Sequence, residues 1–471
     1  MKLLIKRLFC AVVCLSLMAT PVHAEEKLPP LPKGPLLLTS CTEEMQSPEF
    51  WINRLPDPNR VIMNPEQIRD FNERIYRWTH ESVNVFKIPK VFPGDGISRQ
   101  LKLEFETLRG RLLYDAKGVR VPKSVFDDTI RPLMQWEEIP KRINVKWGVA
   151  VQPTSVRALP IEMEMIEAPD DVEFDQLQFT LIKLWTPVAV YYTSPDGRWL
   201  YVHAPYSRGW VRAKDIAFFP SREELQKTSR PAENFLMVTG RTIPVYSDIA
   251  LQTVELRPTM GTVIPLASTA LKQQQAGGGT KSAYVVWLPY RKSSGAVYLE
   301  KAYVNTKSDV TLDYLPYTQK NVIKQAFKLL GARYGWGGMY NGWDCSGFTH
   351  DVFLTFGIAM PRNSKPQAYV GTQIDHYEAF KDLERKDATL RQAVPAMTLL
   401  RMSKHMMLYL GEINGHFYVI HSTWAERISM TNDDKNRINQ VVVSDLGLNG
   451  NSYVGSLFDR ILDINEINLK D

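Results

Sequence analysis

Along the chain the spacing of apolar residues changes twice. In "NPEQIRDFNERIYRW", Ile68, Phe71, Ile75 and Trp78 recur at helical spacing. They follow Asn64 as N-cap, Pro65 at the first helical position and Gln67 three residues after the cap. This predicts an amphipathic packing helix, and residues from about 41 to 145 read as largely helical. From about 146 to 310 the pattern shifts to short strands and turns. "TPVAVYYTSPDGRWLYVHAPYSRGWVRAKDIAF" alternates β-branched and aromatic residues around the turn Pro195-Asp196-Gly197. A second region, "TGRTIPVYSD" through "AYVVWLPYRKSSGAVYLEKAYVN", has comparable spacing, and "KQQQAGGGTKS" between its strands reads as a flexible loop. Two such modules in tandem predict two small all-β barrels. The last third alternates helix and strand signals. Thr318 caps "QKNVIKQAFKLL", which ends at Gly331; "SGFTHDVFLTF" is a helix stopped by Gly357; "HMMLYLGEI" and "HFYVIHST" are strands joined near Asn414-Gly415.

The predicted fold class is therefore multidomain. A mainly helical N-terminal domain (residues 25–145) precedes barrels over 146–225 and 226–312 and an α+β module over 313–471. Residues 1–24 read as an export signal: Lys2, Lys6 and Arg7, an apolar run from Leu8 to Ala19, then the small-residue site "VHA". The run is too short to span a bilayer and no later segment is long enough, so no membrane span is expected. "LTSC" superficially matches a lipid-attachment box at Cys41, but "EEKLPPLPKG" separates it from the apolar run and argues against lipidation. The expected location is periplasmic or secreted.

Without that signal the basic count falls from 57 to 54 against 51 acids, a net +3. Near-neutral charge with no like-charge block gives no support for nucleic-acid binding. Cys41 and Cys345 are the cysteines left, so the chain is not a disulfide scaffold.

Cys345 sits in "YGWGGMYNGWDCSGF" at the start of a predicted helix. A thiol attacks carbonyls as thiolate, and a helix N-terminus lowers its pKa and offers amides to an oxyanion. The glycines would let backbone approach a substrate and leave the sulfur exposed. The competing reading is a core cysteine packed among aromatics. His405 and His421, on the two predicted strands, favour chemistry. With a two-residue turn at Asn414-Gly415 they would point to opposite faces. A three-residue turn from Ile413 to Gly415, or an equivalent bulge, brings them to one face. The same three residues could instead hold zinc with one open position, although no second cysteine ligand accompanies them. His350, His376 and His416 read as solvated surface residues, and His203 as structural.

"YGWGG…DCSGF", "HMMLYLG" and "VIHS", spanning about Tyr317 to Ser422, resemble the NlpC/p60 family of cell-wall cysteine peptidases. "GWV" at Gly209 to Val211 resembles the closing strand of bacterial SH3 domains, and the second barrel looks like a divergent copy. The resemblance implies a papain-like catalytic fold, Cys345 as nucleophile, His405 as general base and His421 as the residue orienting it. It implies that Tyr334 lies beside the nucleophile and that Asp344 and Ser346 line the pocket. In the SH3-linked subgroup, which cuts γ-D-glutamyl–diamino acid bonds of peptidoglycan stem peptides, Asp344 and Ser364 would bind a free N-terminal L-Ala amine. Tyr206 is a candidate wall residue from the first barrel, or an ordinary barrel aromatic. No cofactor is implied, the expected partners are muropeptides, and a monomer is expected. A non-catalytic wall-binding protein and a cysteine-dependent acyltransferase are the alternatives.

Overall fold

The computed structural model describes residues 34–79, 81–169, 171–230, 233–276 and 279–469. The expected export signal lies outside the described residues. Near the N-terminus, Asn64 and Gln67 cap helix α1 (Pro65–Trp78) reciprocally: each backbone N–H donates to the other's side-chain oxygen at 2.9 Å. Ile68, Phe71 and Ile75 are buried, but Trp78, in the last turn, is 50% exposed and does not extend the stripe. Helix α2 (Gly94–Arg109) follows, and Val91–Pro93 pairs with Arg142–Asn144 in a small sheet.

The apolar side chains of the helical region belong to two clusters shared with the neighbouring modules. Met45, Trp51, Phe71 and Ile75 pack in a cluster with Tyr317, Phe353 and Tyr409 of the C-terminal module. Ile97, Leu101, Phe105 and Trp136 instead join Trp185, Tyr201 and Trp210 of the first barrel. Each apolar stripe needs a partner face, and the neighbouring modules supply it. Cys41 is buried in the first of these clusters, its Sγ donating to the Val443 carbonyl at 3.3 Å.

The first barrel comprises β1 (Lys146–Ala150), β2 (Thr154–Arg157), β3 (Gln178–Ile182), β4 (Pro187–Thr193), β5 (Trp199–Ala204), β6 (Ser207–Arg212) and β7 (Ile216–Phe219). Its sheet runs β3-β2-β6-β5-β4-β1-β7. The second comprises β8 (Phe235–Val238), β9 (Val245–Tyr246), β10 (Val254–Leu256), β11 (Val263–Ala276), β12 (Gly279–Arg291), β13 (Val297–Asn305) and β14 (Val310–Leu312), ordered β10-β9-β13-β12-β11-β8-β14. Each strand of the second sheet occupies the place of the strand seven earlier in the first, so the two share one topology. The presumed loop at 272–282 is mostly strand: Lys272 faces Ala283 and Gln274 faces Lys281 in a long hairpin. Backbone pairing sustains this polar ladder without an apolar face to announce it.

In the C-terminal module Thr318 caps α3 (Gln319–Lys328) by accepting from the Asn321 N–H at 3.1 Å. Helix α4 (Cys345–Leu354) packs on a six-stranded antiparallel sheet, and its chain turns away at left-handed Gly357 (φ +78°). The strands are β15 (Thr372–His376), β16 (Thr398–Met402), β17 (His405–Ile413), β18 (His416–Arg427), β19 (Lys435–Asp445) and β20 (Asp463–Glu466), ordered β15-β20-β16-β17-β18-β19. Among the described residues no helix is long and apolar enough to cross a membrane.

Candidate active site

Asp344 organises the entry to α4. As N-cap its Oδ1 accepts from the Gly347 N–H at 2.7 Å, and its Oδ2 accepts from the Gly337 N–H at 2.8 Å. Arg362 adds a two-pronged contact, Nη1 to Oδ1 at 2.9 Å and Nη2 to Oδ2 at 2.6 Å. Burial alone would raise this carboxyl, but Arg362 and the amides hold it below the usual carboxylate range. A carboxylate has about four lone-pair directions, and all are committed. Asp344 is therefore a structural anchor with no oxygen left for a substrate amine, a correction to the role implied by resemblance. Ser346 is equally internal, its buried hydroxyl accepting from Arg362 at 3.2 Å.

The glycines of the loop serve packing on the first barrel instead of an approach to substrate. Gly337 (φ +56°) and Gly338 (φ +79°) are left-handed, and added Cβ atoms would lie 2.7 Å from Gln178 Cγ and 2.8 Å from Leu181 Cβ. Both contacts are to β3. Gln178 Nε2 donates to the Gly337 carbonyl at 2.9 Å, and Arg362 Nε donates to Thr180 Oγ1 at 2.8 Å.

The sulfur does not face outward as expected. Cys345 is 7% exposed, and its Sγ lies 3.8 Å from the Lys404 carbonyl. Burial, with the Asp344 charge behind it, pushes the thiol up to about 12, against the favourable backbone N–H groups of Met406 and Ser346. In this closed arrangement burial outweighs the helix N-terminus and raises the thiol above its ordinary value.

The residue beside Lys404 is His405, whose Nε2 meets His421 Nδ1 at 2.7 Å; His421 Nε2 in turn meets Ser444 Oγ at 2.9 Å. The rings are edge-to-face, centroids 5.0 Å apart. The connecting turn has two residues, Asn414 and Gly415, both left-handed, with Ile413 facing His416. A bulge then corrects the register: Gly411 faces Tyr418 and Tyr409 faces Val419, leaving Leu410 as the extra residue. That single residue puts both histidines on one face. Burial, then Arg460, holds His405 down to about 4, and burial with His405 holds His421 well below its ordinary value. The facing nitrogens are spent on each other, so this pair does not open toward a shared zinc ion.

For His405 Nδ1 to accept a proton, Nε2 must carry one and donate it to His421 Nδ1, which leaves His421 Nε2–H to donate to Ser444. A thiol at a helix start and a relay of two imidazoles ending on a hydroxyl are the parts of a nucleophilic cysteine site. Residues 331–446 match the model of the NlpC/P60 family, and residues 165–212 that of the SH3 domain (SH3b1 type). The C-terminal module is an NlpC/P60 domain. The chain is 28% identical over 222 residues to a gamma-D-glutamyl-L-lysine dipeptidyl-peptidase of Bacillus cereus, covering 46% of this chain and 57% of that protein. It is 46% identical over 61 residues to a probable endopeptidase p60 of Listeria seeligeri, 12% of this chain and 11% of the relative. The chain thus spans little more than half the length of the first of these curated relatives. In overall fold it is similar to an NlpC/P60 endopeptidase from Photobacterium damselae subsp. piscicida, with TM-score 0.70, 19% identity, and 92% and 99% of the two chains covered.

Around the NlpC/P60 domain the remaining candidates fall into place unevenly. Tyr334 is buried beside the sulfur; burial and then Cys345 raise its phenol, and Phe174 of the first barrel lies 6.1 Å from its ring. Ser364 opens a short helix and is half-buried. Tyr206 is buried with its ring 4.5 Å from His350, and it also lines a groove of about 320 Å³ with Trp336 and Arg362. His350 corrects the surface reading: it is 2% exposed, because the apolar-looking α4 is buried on every side through Phe353. His376 and His416 are indeed exposed, paired with Asp463 and Asp445, and His203 lies on β5 bonded to Tyr191.

Several residues escaped the sequence reading. Arg362 and Ser444 carry no motif that reveals partners 18 and 23 residues away. Glu173, buried in the first barrel, accepts from Trp424 at 2.6 Å and Asn439 at 3.0 Å of the NlpC/P60 domain. Glu81 lines the groove, its Oε2 accepting from Asn363 at 3.0 Å.

Proposed function

We propose that this protein is a cysteine peptidase that hydrolyses the γ-D-glutamyl–diamino acid amide, with meso-diaminopimelate as the diamino acid, in peptidoglycan stem peptides. The observation that carries this reading is the hydrogen bond of 2.7 Å between His405 and His421, with the Cys345 thiol at the start of α4 contacting the carbonyl of Lys404, the residue before His405. The family match and the name of the Bacillus relative support the bond type. Periplasmic or secreted action on released peptides, as a monomer, belongs to the same proposal.

In the proposed reaction His405 Nδ1 takes the Cys345 proton as sulfur attacks the γ-carbonyl carbon. Amides at the start of α4 receive the oxyanion. Collapse expels the diamino acid, whose amine takes the proton back from His405, and leaves a thioester. Water, deprotonated by His405, attacks the thioester, and the thiol is regenerated as the γ-carboxylate leaves. His421 keeps the imidazole in the required tautomer throughout.

Recognition of a free N-terminal L-Ala is assigned to the groove. With Asp344 committed, Glu81 is the carboxylate that lines it among the described residues, and Arg208 lies in the same lining. An ammonium at Glu81 and the α-carboxylate of D-glutamate at Arg208 would match the charges of the peptide. The test is Cys345→Ala assayed on L-Ala-γ-D-Glu-diaminopimelate with products identified by mass spectrometry. Loss of hydrolysis with an unchanged melting curve is expected, and full activity in that variant would remove the proposal.

A further inference from the structure

A cavity of about 230 Å³ lies where the N-terminal segment, both barrels and the NlpC/P60 domain meet. Neither Cys345 nor His405 lines it, and Tyr206 is the one residue it shares with the groove that Glu81 and Arg208 line. The cavity's lining contains no Asp or Glu among the described residues; the formal charges are Lys183 and Arg230. Lys183 is neutralised by Asp351 at 2.7 Å. Arg230 is not. Its Nη1 donates to the carbonyls of Ser229 at 2.7 Å and Trp185 at 3.2 Å, and the groups acting on its charge are the phenols of Tyr314, Tyr206 and Tyr76. Arg230 is only partly open to solvent, and a guanidinium without an acid beside it is the group an incoming anion would pair with.

His350 adds a second requirement. Its Nδ1 lies 2.9 Å from Asp351 Oδ1, and an ionised carboxylate can only accept, so Nδ1 carries the ring proton. Nε2 is then an acceptor; it is buried and has no hydrogen-bond partner, and His350 is a lining residue of this cavity. The hydroxyl of Ser82, a residue 1% exposed, also lacks a partner in the same wall. Native proteins rarely leave such groups unsatisfied, and sites for small ligands concentrate at domain junctions. The ligand these walls select is anionic toward Arg230 and offers an O–H or N–H toward His350.

We propose that this four-way junction is a binding site for a small oxyanion carrying its own hydrogen-bond donor: an amino acid, a hydroxy acid or hydrogen phosphate. Tyr206, which packs on His350, is one of the first barrel's residues in that wall. Binding here ties all four parts of the chain together, so it stabilises the fold as ligand concentration rises.

The experiment uses the full chain at constant ionic strength, with calorimetric titration and melting curves in L-alanine, D-alanine, D-lactate and inorganic phosphate. Acetate and sulfate, which lack a donor at neutral pH, are the comparators. At least one donor-bearing anion is expected to bind saturably and raise the melting temperature, identifying whether the source is an amino acid, a hydroxy acid or phosphate. Arg230→Gln should weaken that binding by about tenfold or more. His350→Phe, which keeps a ring against Tyr206, should erase the preference over acetate and sulfate. The wild-type selectivity stands as a test even if Arg230→Gln does not fold. Equal binding of all six anions, or binding of none at about 10 mM, overturns the proposal.

Discussion

His405 Nε2 lies 2.7 Å from His421 Nδ1, although the turn between their strands would by itself place the two rings on opposite faces. The extra residue Leu410 is what aligns them, and two predictions follow from this pair.

Deleting Leu410 should straighten the hairpin, keep the Asn414-Gly415 turn and rotate His405 away from His421. Activity on the tripeptide should be lost while the β-sheet circular dichroism persists. A crystal structure of the deletion variant showing the imidazoles still in contact would refute the register argument.

Replacing His421 by alanine removes the acceptor that holds His405 in its working tautomer. A fall in kcat of about 10²–10⁴-fold with KM little changed is expected. If kcat stays within a few-fold of the parent, His421 is a packing residue.

Glu81→Gln should lower kcat/KM on peptides with a free N-terminal alanine and leave the slow turnover of N-acetylated peptide unchanged. Asp344→Asn, by contrast, should show mainly as a lower melting temperature, since that carboxylate anchors Arg362 and the head of α4. The reverse pattern would return amine recognition to Asp344.

Alanine at Gly337 or Gly338 combines a left-handed backbone with Cβ contacts of 2.7 and 2.8 Å to the first barrel. Each should destabilise by about 1–3 kcal/mol, read by denaturant unfolding. Substitution without loss would mean the barrel does not press on this loop in solution.

Stability should fall in mild acid. His405 ordinarily titrates at 6.5 and is held down to about 4 by burial, so the unfolded chain binds this proton more readily. The stability it contributes is complete above about pH 6.5 and is lost as pH falls through about 4, an amount on the order of 3 kcal/mol. His405→Asn should flatten the melting-temperature profile across that window. An unaltered profile would show that the ring is not buried neutral.

The helices at 65–78 and 319–328 were legible because their caps and apolar periods are local properties of a few consecutive residues. The order of nucleophile and histidines was legible for the same reason. Trp78, the polar hairpin at 272–282 and the surface reading of His350 were misjudged, since each depends on what another part of the chain covers.

By itself the sequence determined where helices begin, where strands alternate and which thiol and imidazoles could react, because these follow from spacing and capping along one segment. Tertiary structure alone decided that Cys345 is buried, that Asp344 is consumed by Arg362, and that one bulge turns His405 toward His421. Desolvation, charge pairing and strand register arise between residues distant in the chain, and no local pattern encodes them.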